Sequence, residues 1–367
     1  MNISKPLAIG VAAVVIIAAV AGIIILTHDD DDRVKIGYLT GDLHQISHLV
    51  MMDKSLFGDE SLLEKYEVDA VSANPGGYAN GGAVMDAIAA GSVDIAWLGA
   101  PPVIQKHLNA GTDVKIIAVA NSEGSSIVVK DGIDSVEDLR GKTVATPGPA
   151  SIQHLLFMEV IENAGMKTVQ KGAETGPNIV YWKQLPPVNQ KAALEKGDVD
   201  AAVGWEPYGS AAITDGTAKI LEWSGEVWPD HPCCVVAVRT SYAEANPDIV
   251  AKVIKAHIDA TEWIEETVED KNSENYTKLV DMSKTFSGIN DEKVIDSALS
   301  KIKYKYQIDE AFRTSLDGFT ESYIDLDVIK SNRISERGYS SVKDFVDKII
   351  DTSYLERAEE MVENNIA

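Results

Sequence analysis

Hydrophobic and polar positions fall into the same order twice along this chain. Residues 189–208 read as a short amphipathic helix closed by Gly197, then an apolar strand that stops in a Trp-Glu-Pro-Tyr loop. Residues 86–102 repeat the order: a helix, Gly91, the pair Val93-Asp94, an apolar strand, then Gly99 and Pro101-Pro102. A second echo precedes each copy. Residues 33–41 and 142–148 both read as short strands running into a glycine turn, at similar distances upstream. Helix, glycine, Val-Asp and strand is a common connection by itself, but the paired echoes predict two α/β lobes of related plan.

The remaining pattern fills in those lobes. Lobe one opens with a strand at 34–39, a helix at 45–56 and a strand at 66–72, followed by a glycine-rich loop at 74–82. A helix at 83–90 and strands at 93–98 and 115–120 complete it. Residues 121–126 read as a crossing into lobe two, which holds strands at 127–129, 143–146 and 179–182, a helix opening near Ser151 and a Pro186-Pro187 turn. The chain returns over about 223–238, and the remainder is helical, with helices at 247–269, 276–286 and 292–300. On the first of these, Val250, Val253, Ile254, His257 and Ile258 form an apolar stripe that reads as core packing. The expected division is 1–32 as a membrane anchor or signal segment, 33–122 as lobe one, 123–227 as lobe two, and 228–367 as the second part of lobe one with the C-terminal helices.

Composition narrows the function. The 367 residues are 45% hydrophobic and 25% charged, enough for a sizeable core, and the net charge of −24 argues against a nucleic-acid partner. Residues 7–26 are an apolar run long enough to cross a bilayer, with Lys5 before it and four aspartates after it. A retained membrane helix and a cleaved signal segment are the two readings, and both place everything after Asp32 outside the cytoplasm. Cys233 and Cys234 are the only cysteines. As sequence neighbours they do not suit a bridge, and with no zinc spacing around them they read as small buried apolar groups. No metal and no cofactor is expected.

The chain carries no nucleophile elbow, phosphate-binding loop, zinc-protease helix or calcium loop, so no catalytic residue is assigned. What remains is a set of loops at the carboxyl ends of predicted strands, where open α/β sheets bind ligands. Lobe one offers Tyr38, Thr40, His44 and Gln45, then Gly77 and Tyr78, then Gly99, Ala100 and Pro101; lobe two offers Pro147, Gly148, Ser151 and His154, then Trp205, Glu206 and Tyr208. His231 lies beside the returning crossing. Ser151 fits a helix cap whose hydroxyl also meets a ligand, the histidines fit donors, and Trp205 and Tyr208 fit an aromatic wall. Glu206 is a candidate partner for an amine, and its charge disfavours a bare anion unless it faces away.

These residues resemble the substrate-binding proteins of ABC importers for nitrate, alkanesulfonates and taurine, with the related thiamine-precursor binders. The resemblance is carried by residues 138–148 (Asp-Leu-Arg-Gly-Lys-Thr-Val-Ala-Thr-Pro-Gly) continuing to Ser151 and His154, by Gly197-x-Val-Asp-Ala running to Trp205-Glu206-Pro207, by Pro232-Cys-Cys-Val-Val-Ala-Val, and in lobe one by Gly91-x-Val-Asp-Ile-Ala. It implies a two-lobed type II periplasmic-binding-protein fold, a small anionic or zwitterionic solute captured by lobe closure, membrane permease subunits as partners and a monomeric state. An additional proline at 149 and a long loop at 74–82 depart from the family pattern, and the lipoprotein cysteine is missing. The solute stays open among sulfonate, taurine, nitrate, carboxylate and aminopyrimidine. Two other readings stand beside transport: an enzyme on the same fold using His231 and the cysteine pair, and a ligand-sensing ectodomain.

Overall fold

The computed structural model describes residues 32–363. The apolar run at 7–26 lies outside the described residues, and among those described no helix is long and apolar enough to cross a membrane.

Two six-stranded sheets organise the chain. The first runs in the order β12-β4-β11-β3-β1-β2, formed by Ile302–Tyr304, Val114–Glu123, Pro232–Arg239, Ile95–Gly99, Val34–Gly37 and Ala70–Ser72. The second runs β10-β5-β9-β6-β8-β7, formed by Lys219–Trp223, Ser125–Val129, Ala201–Trp205, Thr143–Thr146, Ile179–Gln184 and Lys167–Gln170. Each sheet is mixed. β1 is parallel to β2 and β3, and β6 is parallel to β8 and β9, while β11 runs antiparallel to β3 and β5 antiparallel to β9.

The repeated pattern has one physical basis in both sheets. The order β2-β1-β3-β11 in the first matches β8-β6-β9-β5 in the second. Gly91 and Gly197 follow their helices at φ +72° and +75°, a conformation that glycine adopts without a Cβ penalty. Asp94 and Asp200 then accept from the neighbouring strand's backbone N–H, Asp94 Oδ2 from Lys35 at 3.0 Å and Asp200 Oδ2 from Thr143 at 2.8 Å. Their own amides donate back to the carbonyls of Lys35 and Thr143. The aspartate thus ties the start of each central strand to its parallel neighbour.

Packing follows the strand faces. Ile36, Ile95, Trp97, Val235 and Val236 are fully buried in the first core, and the helix Pro247–Glu269 adds Val250, Val253, Ile254 and Ile258. The second sheet has smaller cores built on Val144, Phe157, Val180 and Val203 on one side and on Val128, Ala202 and Leu194 on the other. Two local expectations change. The predicted Pro186-Pro187 turn is the start of the helix Pro187–Lys196, because proline's missing N–H costs nothing in a first turn. The C-terminal part is not wholly helical, since Ile302–Tyr304 pairs antiparallel with β4 as an edge strand.

The chain passes between sheets twice. β4 leads directly into β5 through Glu123 and Gly124, both at positive φ, and β10 leads through the short helix Ser224–Val227 into β11. Gly124 is obligatory in space as well as conformation. A Cβ there would stand 2.4 Å from His44 Nε2.

Candidate functional site

Between the two sheets lies a cavity of about 20 Å³. The first sheet contributes Leu39, Asp42, Gly81, Gly99, Pro102, Cys233 and Cys234, and the second contributes Ala150, Ser151, Ile152, Gln153 and Trp205. A larger recess of about 460 Å³ on the outer side of the first sheet, between Met52 and Ala70, meets only one sheet. A recess of about 350 Å³ lined by Glu123 and Lys303 from the first sheet and Ser125 and Trp223 from the second also lies between the sheets; the small cavity differs in being reached by three helix amino ends.

Three helix amino ends reach it. Gly81–Ala89, Ala100–Ala110 and Ile152–Asn163 begin at residues on its wall or one position away. The first turn of each helix carries N–H groups without partners inside the helix and a partial positive charge. Ser151 caps the third helix: its Oγ accepts from His154 N at 3.2 Å and donates to Gly148 O at 2.8 Å. Gln153 is held by donating to Ser125 Oγ at 3.0 Å, and Trp205 presents a buried Nε1–H that has no partner.

The opposite wall has different chemistry. His44 Nε2–H donates to Gly124 O at 2.5 Å, which turns Nδ1 toward Cys233 Sγ at 3.2 Å and Asp42 Oδ1 at 3.5 Å. Gln45 Nε2 donates to Asp42 Oδ2 at 2.8 Å and to Cys234 Sγ at 3.4 Å. Burial lifts the Asp42 carboxyl to about 7 despite the opposing pull of His44. Burial works against an imidazolium at His44, yet the adjoining Cys233 and Asp42 overcome it and raise the ring to about 10. For Cys233 burial raises the thiol, while Cys234 and His44 bring it down on balance, well below the usual range. The expectation that both cysteines are plain apolar filling therefore fails: they are buried and reduced, but face an imidazole, a carboxylate and an amide.

Of the sequence candidates, Gly99, Ser151 and Trp205 line the cavity, with Ala100 and Pro101 starting the helix behind Gly99. His44 and Gln45 stand behind the lining and hold it in place. The others go elsewhere. Tyr38 stacks on His48, with ring centroids 4.1 Å apart, and donates to Pro75 O. Thr40 Oγ1 donates to Gly76 O, and Gly77 and Tyr78 pack beside that turn, Tyr78 bridging to Leu39. Pro147 O accepts from Gln184, Gly148 O from Ser151, and His154 pairs with Thr146 Oγ1 against Trp182.

Glu206 and Tyr208 also leave the cavity. The Glu206 Oε2 accepts from Ser210 N at 3.2 Å at the start of the helix Tyr208–Thr214, and burial pushes the carboxyl up to about 7. Tyr208 turns its hydroxyl toward Gly41 and lines a separate recess with Ser287 and Asn290. His231 is fully buried with Nδ1 on Pro232 O and Nε2 without a partner. Sequence reasoning places the loops 38–45 and 146–154 at the site without singling out Asp42 or Gln153, and it missed the chemical role of the cysteine pair. Only the Asp-x-His-Gln spacing at 42–45 carried a local signal.

Comparison with known proteins fits this architecture. The taurine-binding periplasmic protein of Escherichia coli (strain K12) is 30% identical over 217 residues, 56% of this chain and 62% of that protein. The match therefore spans under two thirds of that relative's length. Among solved structures, the periplasmic nitrate-binding protein from Synechocystis PCC 6803 superposes with a TM-score of 0.69 at 16% identity, covering 90% of this chain and 89% of the other. The periplasmic aliphatic sulphonate binding protein from Escherichia coli gives 0.63 at 21% identity, covering 85% and 98%. With two mixed sheets of matching strand order and a family model matching residues 28–281, the chain belongs to the NMT1-like family.

Proposed function

We propose that the chain is the extracytoplasmic solute-binding component of an ABC importer, and that the solute is a small sulfonate, taurine or nitrate-like anion or zwitterion. The observation that carries this reading is the meeting of three helix amino ends at one cavity lined by both sheets. Such an arrangement offers N–H donors and favourable dipoles to an anionic head without a full positive charge. Trp205 Nε1–H adds an unpaired donor from the second sheet. A taurine-binding relative and nitrate- and sulfonate-binding structural neighbours support the same class.

Capture proceeds by closure. Lobe one (33–122 with 228–367) and lobe two (123–227) are joined through two connections, so a solute that contacts both walls stabilises the closed arrangement by its additional contacts there. The cavity's small size accords with a closed arrangement that opens to admit solute. The closed monomer then docks on permease subunits, with residues 7–26 holding it at the membrane. No bond is made or broken.

Trp205 makes the test direct. Titration of the protein with taurine, short alkanesulfonates and nitrate, followed by tryptophan fluorescence, gives a saturable change with one class that is lost in Trp205→Phe. A chain that shows no saturable change with any of them is not an importer receptor for that class.

A further inference from the structure

We infer that His44, Cys233 and Cys234, with the Asp42 carboxylate beside them, form a binding site for a thiophilic metal ion of the zinc class, on the first-sheet wall of the cavity. His44 Nδ1 and the two Sγ atoms all lie within 4.8 Å of one another, with Cys233 Sγ 3.2 Å from Nδ1, and Asp42 Oδ1 stands 3.5 Å from that nitrogen. Imidazole nitrogen, two sulfurs and a carboxylate oxygen are the donor types that zinc accepts in a four-coordinate site, whereas calcium and magnesium take oxygens alone. All four side chains are at most 2% exposed. Asp42, Cys233 and Cys234 line the cavity of about 20 Å³, room for one water-sized occupant, and His44 stands directly behind them.

The surroundings hold these donors in the orientation a metal needs. A ligating histidine commonly gives its other ring N–H to a backbone carbonyl, which fixes the ring and points the remaining nitrogen at the ion. His44 does this through Nε2 and Gly124 O at 2.5 Å. Gln45 steadies two other donors at once, giving Nε2 to Asp42 Oδ2 and Cys234 Sγ while its Oε1 accepts from Leu39 N at 2.8 Å.

The cysteine pair supplies an independent observation. Neighbours in a regular strand point to opposite faces, so two adjacent cysteines cannot ordinarily serve one ion. β11 is irregular at that point. Pro232 pairs with Ser122 and Cys234 with Asn121, leaving Cys233 as an additional residue without a partner on β4. A bulge of this kind re-aims a side chain, and here it brings both sulfurs to one locus. Asn121 Oδ1 accepts the Cys234 N–H at 3.0 Å and so satisfies the amide at the irregularity.

The site is built from the first sheet alone, while Ser151 and Trp205 close the cavity from the second. It shares the cavity with the proposed solute but depends on neither transport nor solute class. An anionic solute adjoining the ion would become an additional ligand.

The test uses the full-length chain, reduced and freed of metal with a chelator, titrated with Co²⁺ as a spectroscopic probe and then with Zn²⁺. Thiolate-to-cobalt charge-transfer absorption saturating at one equivalent and abolished by Zn²⁺ is the expected result. Cys233→Ser and Cys234→Ser each reduce that absorption and weaken affinity, and Gln45→Leu weakens it about 10- to 100-fold while leaving the donors in place. Wild-type protein lacking the charge-transfer band overturns the site without recourse to any variant. So does a band unchanged in both cysteine variants that retain wild-type circular dichroism. Ser151→Ala separates the two readings, because it leaves the cobalt band intact while weakening the fluorescence response to solute.

Discussion

The two sheets share a scaffold and divide the chemistry. In both, a glycine after a helix and an aspartate at the strand start tie the central strand to its parallel neighbour. At the cavity the likeness ends. β3 delivers Gly99 beside Cys234, near the Asp42 and His44 cluster, whereas β9 delivers Trp205 beside the capped helix of Ser151. A doubled framework thus fixes where two walls meet without requiring both walls to present the same groups.

The aspartates provide the largest expected difference between the sheets. Asp94 is buried and also holds Arg239 Nη2 at 2.5 Å, so Asp94→Ala removes the acceptor of the Lys35 amide and the counter-charge of a largely buried guanidinium, which keeps its bond to Ser241 Oγ. It should cost about 3–5 kcal/mol, the range for breaking a largely buried pair. Asp200 accepts the Thr143 amide, and Asp200→Ala should cost about 1–2 kcal/mol. Urea unfolding of the two variants checks this, and equal losses would remove the distinction.

Acidification sharpens the comparison next. His48 and His257 in the first sheet's core and His154 in the second are held down to about 4 by burial. Their folded values lie below the unfolded one, so their contribution is complete above about pH 6.5 and is lost as the pH falls toward 4. Glu206 and Asp42, raised by burial to about 7, act in the opposite sense: their contribution is present below the usual carboxylate range and lost as pH rises through 7. Burial also holds His107 and His231 low, so the histidines outnumber these two acids and predict a net fall in stability between pH 6.5 and 5. Urea midpoints across that range should decrease, and a rise would mean the acids outweigh the histidines.

The smallest effect is at the cap. Ser151→Ala removes an acceptor for His154 N and should lower stability by about 1 kcal/mol, read from the same urea curves. Asn80, which caps the helix on the first-sheet side by accepting from Ala83 N at 3.0 Å, should behave alike when changed to alanine.

Local signals made much of the scaffold legible in the sequence. Glycine at a helix end, valine and aspartate before an apolar run, and Ser151 before Ile152 each act over a few residues, and the structure uses all of them. The span of the helix Pro247–Glu269 follows from its apolar stripe and its opening proline. The site was less legible because its decisive features are long-range. The cysteines converge through a register slip against a strand more than a hundred residues earlier, and the orientation of His44 depends on a carbonyl at Gly124. Glu206 reads as a cleft acid in sequence, but its helix takes it inward to Ser210. The edge strand Ile302–Tyr304 exists because β4 offers it an edge, which three residues alone cannot announce.

Solute capture between the two sheets is tested most directly by thermal unfolding of the protein with and without taurine, alkanesulfonates and nitrate, in wild type and Trp205→Ala. A solute at one hundred times its dissociation constant adds about 2.7 kcal/mol, enough to raise the midpoint measurably. The account predicts a rise with one solute class in the wild type and none in the variant. A rise of equal size in Trp205→Ala would place the solute elsewhere, and no rise with any class, in protein unfolded and refolded to release bound molecules, would contradict the receptor.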